Sequence, residues 1–214
     1  MPGCCDPRGC EKFFGTRFAR RTARRYGKHG LDKPARQIVE FLHTRGLDGA
    51  TVLEIGGGVG ELQLELLKRG AHRTVNLELS PNYDDEALRL ARDAGVQDRI
   101  DRRLHDIAAD PAAVEPADIV ILHRVVCCYP DYNALLTAAA RHARRTLVFS
   151  HPPRTWLTRA GLGATNLFYR ITRNPYRAFV HPPESMVEVL RREGLEPRYR
   201  DPDRVWSIVG AVRA

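Results

Sequence analysis

The chain has 214 residues, of which 43% are hydrophobic and 28% are charged, so it suits one globular domain and does not have the composition of a disordered segment. No apolar run approaches the roughly 20 residues that span a bilayer, and no apolar segment follows the basic residues near the N-terminus. These features argue against an integral membrane protein and a secretory signal, and they predict a cytoplasmic location.

The net charge of +8 is concentrated in two segments of the chain. Residues 1–36 carry a net charge of +7, and residues 151–183 carry +5 because they contain five arginines and no acid. Basic segments on an otherwise mildly acidic chain indicate an anionic partner, which could be a carboxylated small molecule, a membrane surface or a nucleic acid. The alternative is a solvated, arginine-rich surface without a partner.

Hydrophobic periodicity predicts two N-terminal helices, at residues 17–25 and 33–45, and then strands and helices in alternation. The predicted strands are residues 51–55, 74–79, 100–104, 118–123, 146–150, 196–200 and 205–212. The predicted helices between them are residues 61–68, 84–94, 132–142 and 184–193. Prolines and glycines are expected to interrupt any regular element within residues 152–183. Such alternation favours an α/β fold with a mostly parallel sheet, helices on both faces and an antiparallel edge strand.

A glycine-rich turn follows the first predicted strand and reads Glu54-Ile55-Gly56-Gly57-Gly58-Val59-Gly60. Glycines let a backbone turn sharply and approach a ligand closely, and the next helix offers its N-terminus to a negative group. Glu78 lies near the end of the second predicted strand, where an acid can accept hydrogen bonds from both hydroxyls of a ribose. Asp106 follows the third strand, where an acid can accept a hydrogen bond from the amino group of an adenine. The two acids make the prediction specific, because a glycine-rich turn by itself also occurs in other nucleotide-binding enzymes.

Residues 51–150 resemble the class I S-adenosylmethionine-dependent methyltransferases on these motifs. The resemblance implies a Rossmann-like, seven-stranded sheet with a reversed last strand, and S-adenosylmethionine as the cofactor. It also implies a role for each matching position. The cofactor-binding residues it implies are Glu54, Gly56, Gly58 and Gly60 near the methionine part, Glu78 and Leu79 near the ribose, Asp106 and Ile107 near the adenine, and His123. A short dehydrogenase is the alternative, but its Tyr/Lys catalytic pair cannot be placed in this sequence.

The resemblance also implies a division of the chain. Residues 1–45 are expected to form a basic, cysteine-containing segment whose helices cap the active site. Residues 46–214 are then the methyltransferase domain, with a substrate-binding insertion at about 152–183. A patchier likeness connects the chain to the magnesium-protoporphyrin O-methyltransferase group, through Arg25-Tyr26-Gly27 and through His181 after the insertion.

The catalytic candidates are His123, Tyr129, His151 and His181. They follow the fourth and fifth strands or the insertion, and ligands of open α/β sheets bind beyond the carboxyl ends of the strands. A histidine could serve as general base toward a hydroxyl or amine, whereas a carboxylate acceptor needs no base. A hydrogen-bonded structural role is the alternative for His151 and His181. In the loop after the fourth strand, Cys127 and Cys128 replace a histidine pair that is common in this class.

The cysteines fall in two groups, which are Cys4, Cys5 and Cys10, and then Cys127 and Cys128. If both groups meet at the cofactor mouth, their thiols could bind a soft metal ion or trivalent arsenic. No metal site is assigned, because the spacing matches no standard zinc module. Redox sensing and inert packing are the alternatives.

Residues 154–181 mix aromatic and aliphatic side chains with five arginines. They could form a lid over an anionic acceptor, an amphipathic helix in peripheral contact with a membrane, or a core helix with snorkelling arginines. The predicted function is methyl transfer to O or N of a small anionic or aromatic molecule. The alternatives are thiol-assisted metalloid methylation and nucleic-acid modification by the basic N-terminal arm. Nucleic acid is disfavoured as a partner because no RNA-binding module is recognisable, and the oligomeric state is not predicted.

Overall fold

A computed structural model describes residue 9 and residues 12–202 and 205–214. The strands are β1 (Thr51–Ile55), β2 (Arg73–Glu78), β3 (Ile100–Leu104), β4 (Ala117–Leu122), β5 (Ala143–His151), β6 (Leu195–Asp201) and β7 (Ser207–Arg213). The α-helices are α1 (Thr16–His29), α2 (Lys33–His43), α3 (Glu61–Lys68), α4 (Asp84–Asp93), α5 (Tyr132–His142), α6 (Trp156–Ile171) and α7 (Pro183–Arg192). Most of these elements lie within a few residues of their predicted positions.

The seven strands form one sheet in the order β3-β2-β1-β4-β5-β7-β6. Only β7 runs against its neighbours, since it pairs antiparallel with both β5 and β6 among the described strands. The predicted fold class is confirmed, and the reversed strand lies one place in from the edge that β6 forms. The strand order changes direction between β1 and β4, so a crevice opens there beyond the carboxyl ends of the strands.

Both faces of the sheet are buried, as expected for parallel strands that read as continuous apolar runs. Val52 and Leu53 are successive residues of β1 and therefore point to opposite faces. Val52 packs in a cluster with α2 and α3, whereas Leu53 packs in a cluster with α5 and α7. The site at the carboxyl edge thus stands on a sheet that is held from both sides.

The predicted interruption of residues 152–183 is wrong over its first half, because α6 continues through Gly161 and Gly163. A glycine inside a helix costs about 1 kcal/mol relative to alanine, which does not end a helix that is well started. Thr155 is the N-cap residue of α6, and its hydroxyl oxygen accepts a hydrogen bond from the Thr158 amide at 3.1 Å. None of the α6 residues is buried, so the core-helix interpretation is also wrong. Of the helices that the structure describes, none has the length and apolar character needed to cross a bilayer.

Candidate active site

A cavity of about 410 Å³ lies at the carboxyl ends of β1, β2 and β4, where the strand order reverses. Its volume falls within the roughly 300–1,000 Å³ that ligand sites occupy. The loops after these strands form one wall, and the segment leading into α1 and the first turns of that helix form another. Predicted site residues in its wall are Glu54, Gly56, Gly58, Glu78, Leu79, Asp106, Ile107, His123 and Tyr129.

The glycine turn brings the loop after β1 against the loop after β4. Gly56 has a φ of +67°, and a Cβ atom built on it would lie 2.5 Å from Val125 Cγ2. A Cβ on Gly57 would lie 2.7 Å from Glu54 Oε2, so a side chain here would require the Glu54 carboxyl group to move. Gly60 precedes α3 with a φ of +82° and does not line the cavity with the other predicted glycines.

The carboxylate of Glu78 is held in one orientation at the end of β2. Its Oε2 atom accepts a hydrogen bond from the Gly58 amide at 2.9 Å, and Oε1 accepts from the Leu79 amide at 2.8 Å. A carboxylate has about four lone-pair positions, so these bonds fix the group and leave acceptor capacity toward the cavity. Glu78 is only 8% exposed, which strengthens any hydrogen bond that a ligand makes to it.

Asp106 lies in the loop after β3 and is oriented by a neighbour from the loop after β4. The Tyr129 hydroxyl donates to Asp106 Oδ2 at 3.0 Å, and the Ala108 amide donates to Oδ1 at 3.0 Å. Ile107 beside it is buried. The predicted catalytic Tyr129 therefore lines the cavity and holds an acid that also lines it.

Glu54 is a buried carboxyl group without a hydrogen-bond partner for its Oε2 atom among the described residues. Burial raises its pKa well above the ordinary value, and the nearby carboxyls of Glu61 and Glu78 raise it further. Gln63 and Arg102 act against this rise. A buried oxygen that lacks a partner is suited to an N–H or cationic group of a ligand.

His123 is fixed after β4 by a contact with β5. Its Nδ1 atom lies 3.0 Å from Ser150 Oγ, which also accepts a hydrogen bond from the Arg124 amide at 2.9 Å. The Ser150 hydroxyl can donate its own hydrogen to His123 Nδ1, and in that tautomer Nε2 carries the ring hydrogen. Burial, followed by the charge of Arg124, lowers the pKa of His123 to about 3. The ring is therefore neutral at pH 7, and its Nε2 atom is unpartnered within the described part of the chain.

Arg124 adopts a φ of +63°, which is uncommon for a residue with a side chain. Such a conformation costs of order 1–3 kcal/mol and persists where the surroundings hold it. Its guanidinium pairs with Asp32, the N-cap residue of α2, and lies 5.2 Å from the ring centroid of Trp206. These contacts connect the loop after β4 to the start of α2 and to the residue before β7.

The two histidines of the His-Pro-Pro sequences do not contribute to the cavity wall that the described residues form. His151 donates through Nδ1 to the Pro152 carbonyl at 3.0 Å, and His181 donates through Nε2 to the Tyr129 carbonyl at 2.9 Å. Burial lowers the pKa of both rings. Their placement favours a structural role over the predicted role as bases.

The predicted thiol cluster is only partly described, since Cys4, Cys5 and Cys10 lie outside the described residues. Cys128 lines the cavity, and its Sγ atom lies 3.6 Å from that of Cys127 and 3.0 Å from the Tyr176 hydroxyl. Three or more metal-ligating side chains do not meet anywhere in the ranges 12–202 and 205–214.

Five residues near the N-terminus line the cavity but were not predicted individually as site residues. They are Phe14, Phe18, Arg21, Thr22 and Arg25. Arg21 and Arg25 are four residues apart, so they lie on one face of α1. The +7 charge of the N-terminal segment was the signal that could have identified them.

The sheet order, the glycine turn and the acids at the ends of β2 and β3 define an S-adenosylmethionine-dependent methyltransferase. A family profile described as a methyltransferase domain matches residues 26–199, and the chain belongs to that family. The predicted class, enzyme activity and cofactor are thereby confirmed. No curated protein matches the sequence.

Solved structures extend the comparison of the fold. Magnesium protoporphyrin IX methyltransferase from Synechocystis PCC 6803, with bound SAH, aligns with a TM-score of 0.75 at 23% identity over 95% of this chain and 97% of its own. Geranyl diphosphate C-methyltransferase from Streptomyces coelicolor A3(2) aligns with a TM-score of 0.66 at 16% identity, over 83% of this chain and 79% of its own. At these identities the likeness is one of fold.

Proposed function

We propose that this methyltransferase acts on an anionic oxygen, above all a carboxylate, of a small molecule with an aromatic or otherwise apolar body. The observation that carries the proposal is the N-terminal wall of the cavity, where Arg21 and Arg25 stand beside Phe14 and Phe18. A guanidinium group binds a carboxylate with charge-assisted hydrogen bonds, and the two rings offer an apolar surface to the rest of the molecule. In this proposal the segment 1–45 caps the site.

The residues of the opposite wall suit the cofactor. Glu54 offers an unpartnered buried oxygen to the amino group of the methionine part, Glu78 offers its fixed carboxylate to the ribose, and Asp106 accepts from the adenine. Because Gly56 and Gly58 have no side chains, they leave room for the part of the cofactor that joins these groups. Leu79 and Ile107 lie beside it. When bound, S-adenosylmethionine supplies an electrophilic methyl group on a sulfonium sulfur.

The placement and pKa values of the three histidines predicted as catalytic favour an acceptor that is already ionised. His123 has a pKa of about 3, so its ring is too weak a base to hold a proton taken from a hydroxyl or an amine at neutral pH. His151 and His181 lie outside the wall. The Nε2 hydrogen of neutral His123 can instead donate to a carboxylate oxygen and orient it, and orientation supplies most of the rate in such a displacement.

The test is a panel of aromatic and aliphatic carboxylates, phenols and amines incubated with methyl-labelled S-adenosylmethionine. We expect label to enter the carboxylates, and mild alkali should release it as methanol because a methyl ester hydrolyses readily. Label that is stable to alkali and enters only phenols or amines would refute the carboxylate proposal.

The substitution Arg21→Gln should raise KM for a carboxylate acceptor by about fivefold to tenfold and leave kcat nearly unchanged, because the lost bond serves binding. Arg24→Gln is the matched control, since Arg24 is also exposed on α1 but does not line the cavity. Equal effects of the two substitutions, in steady-state kinetics, would assign the change to net charge and not to the site.

The vicinal thiols support a second candidate, which is methylation of trivalent arsenic, because Cys128 lines the cavity 3.6 Å from Cys127. A variant with Cys127→Ser and Cys128→Ser separates the two functions. If the acceptor is a carboxylate, turnover should stay within about fivefold, since one lost hydrogen bond costs about 1 kcal/mol. Methylation of arsenite by the wild type, abolished in this variant, would favour the thiol mechanism.

A further inference from the structure

One face of α6 exposes large apolar side chains to solvent. Trp156 is 76% exposed and Ile171 is 72% exposed. The exposed apolar residues of this face are Trp156, Leu157, Leu167, Phe168 and Ile171. At 3.6 residues per turn they occupy an arc of roughly 120°, with only small or apolar residues between them. We call this arc the outer face of α6.

The opposite side of α6 is anchored to the protein. The Asn166 side chain donates to the Ala178 carbonyl at 2.7 Å and accepts from the Ala178 amide at 2.9 Å. Tyr169 packs edge-on against Phe13 and Tyr176, with ring centroids 5.8 Å apart in both pairs. These contacts fix the rotation of the helix, so the apolar arc points away from the body of the protein.

The charged residues of the segment that carries the outer face are all positive. Arg159 and Arg170 are exposed beside the arc, and Arg154 and Arg173 are exposed just beyond the two ends of the helix. Residues 151–183 contain no acid. An apolar arc in a segment whose charged residues are all arginines is the pattern of a helix that lies in the interface of an anionic bilayer. The apolar face of such a helix enters the acyl region, and its arginines meet lipid headgroups.

We propose that the outer face of α6 docks this enzyme on an anionic membrane surface. Charge favours this occupant over a second copy of the chain, since a symmetric dimer would bring together two segments of net charge +5. An anionic bilayer neutralises those charges and covers the apolar side chains. The docking does not depend on the proposed acceptor.

The position of α6 gives such docking a consequence for the site. Tyr169 of α6 contacts Phe13, and the neighbouring Phe14 lines the cavity. The docked helix would therefore rest beside the wall that we assign to the acceptor. An acceptor with an apolar body could enter from the bilayer without crossing bulk water.

The experiment measures co-sedimentation of the full chain with vesicles of phosphatidylcholine alone and of phosphatidylcholine mixed equally with phosphatidylglycerol. We expect binding to the anionic vesicles, weakened by salt, and little binding to the neutral ones. Trp156 fluorescence should shift to the blue on the anionic vesicles, and Trp156→Phe should remove that shift while binding persists.

A variant with Leu157→Ser, Phe168→Ser and Ile171→Ser should bind anionic vesicles at least about 100-fold more weakly, because each side chain loses its apolar transfer. The matched control is Leu88→Ser with Leu104→Ser, which removes two exposed leucines elsewhere and should leave binding unchanged. A second variant, Arg159→Gln with Arg170→Gln, should weaken binding about 30-fold on anionic vesicles only. Retained binding of SAH in calorimetry shows that each variant is folded.

Equal binding of the two vesicle types, no binding to either, or unchanged binding of the serine variant would overturn the membrane proposal. So would light scattering that shows a wild-type dimer which the serine variant converts to a monomer, since the outer face would then belong to a second copy. Failure of the carboxylate panel with intact vesicle binding would overturn the proposed function alone.

Discussion

Replacing Glu78 by alanine should weaken the binding of both S-adenosylmethionine and SAH by at least about 100-fold. In our proposal this carboxylate accepts two ribose hydroxyls, and a hydrogen bond to a charged group contributes about 1.5–3 kcal/mol. The group is buried and held by the Gly58 and Leu79 amides, so the substitution removes an acceptor that is already oriented in the cavity wall. Isothermal titration calorimetry with SAH measures the effect without turnover.

The same substitution also frees the Gly58 amide, so the control must separate ligand contact from loop support. Asn76→Ala provides it, because Asn76 Oδ1 accepts from the Gly57 amide at 3.2 Å but does not line the cavity. We expect Asn76→Ala to weaken binding by less than about tenfold, and Glu78→Gln to fall between the two alanine variants. An unchanged affinity in Glu78→Ala would remove the ribose assignment. Equal losses in the two alanine variants would assign the effect to the turn.

The sheet and the cofactor wall were predictable because their signals are local in the sequence. Strands such as β4 are short apolar runs between turn residues, and Glu54, Glu78 and Asp106 each lie within two residues of the carboxyl end of a strand. Parallel strands deliver their carboxyl ends to one edge, so the order of strands alone brings these acids together. The glycine turn could also be predicted, because a position such as Gly56, with a left-handed φ and little space for a Cβ atom, favours glycine, and glycine is visible in the sequence.

The acceptor side could not be predicted in the same way because its residues meet only in the folded chain. His151 and His181 stand in similar His-Pro-Pro sequences, yet neither lines the cavity, and one nitrogen of each ring bonds a backbone carbonyl. Arg21 and Arg25 looked like two members of a basic run until α1 placed them in the wall. The side of α6 that faces outward was likewise undetermined, because it depends on the contacts of Asn166 with Ala178.

His123 should make the protein sensitive to acid. Its pKa is about 3 in the folded protein, whereas an imidazole in the unfolded chain titrates near 6.5. Between these values the unfolded state binds more protons, so stability is fully present above pH 6.5 and falls as the pH falls toward 3. One pKa unit corresponds to about 1.4 kcal/mol, which gives a contribution of about 2–3 kcal/mol lost between pH 7 and pH 4.5.

Other buried groups oppose this trend, so the prediction concerns a difference between variants. The pKa values of Glu54 and Glu61 are raised by burial, and protonation of these carboxyls favours the folded state as the pH falls. They are present in both the wild type and His123→Asn, which keeps a hydrogen-bonding group near Ser150 but has no charge at any pH. We therefore expect urea unfolding to show 2–3 kcal/mol less loss of stability between pH 7 and about 4.5 in this variant.

The substitution His72→Asn supplies the control, because it removes a histidine that is exposed on the loop before β2. It should leave the acid sensitivity of the wild type unchanged. If His123→Asn and the wild type lose equal stability on acidification, His123 accepts a proton in the folded protein near its ordinary pKa. That result would also reopen its role as a general base, because the argument for an ionised acceptor depends on a ring that stays neutral and only donates its Nε2 hydrogen.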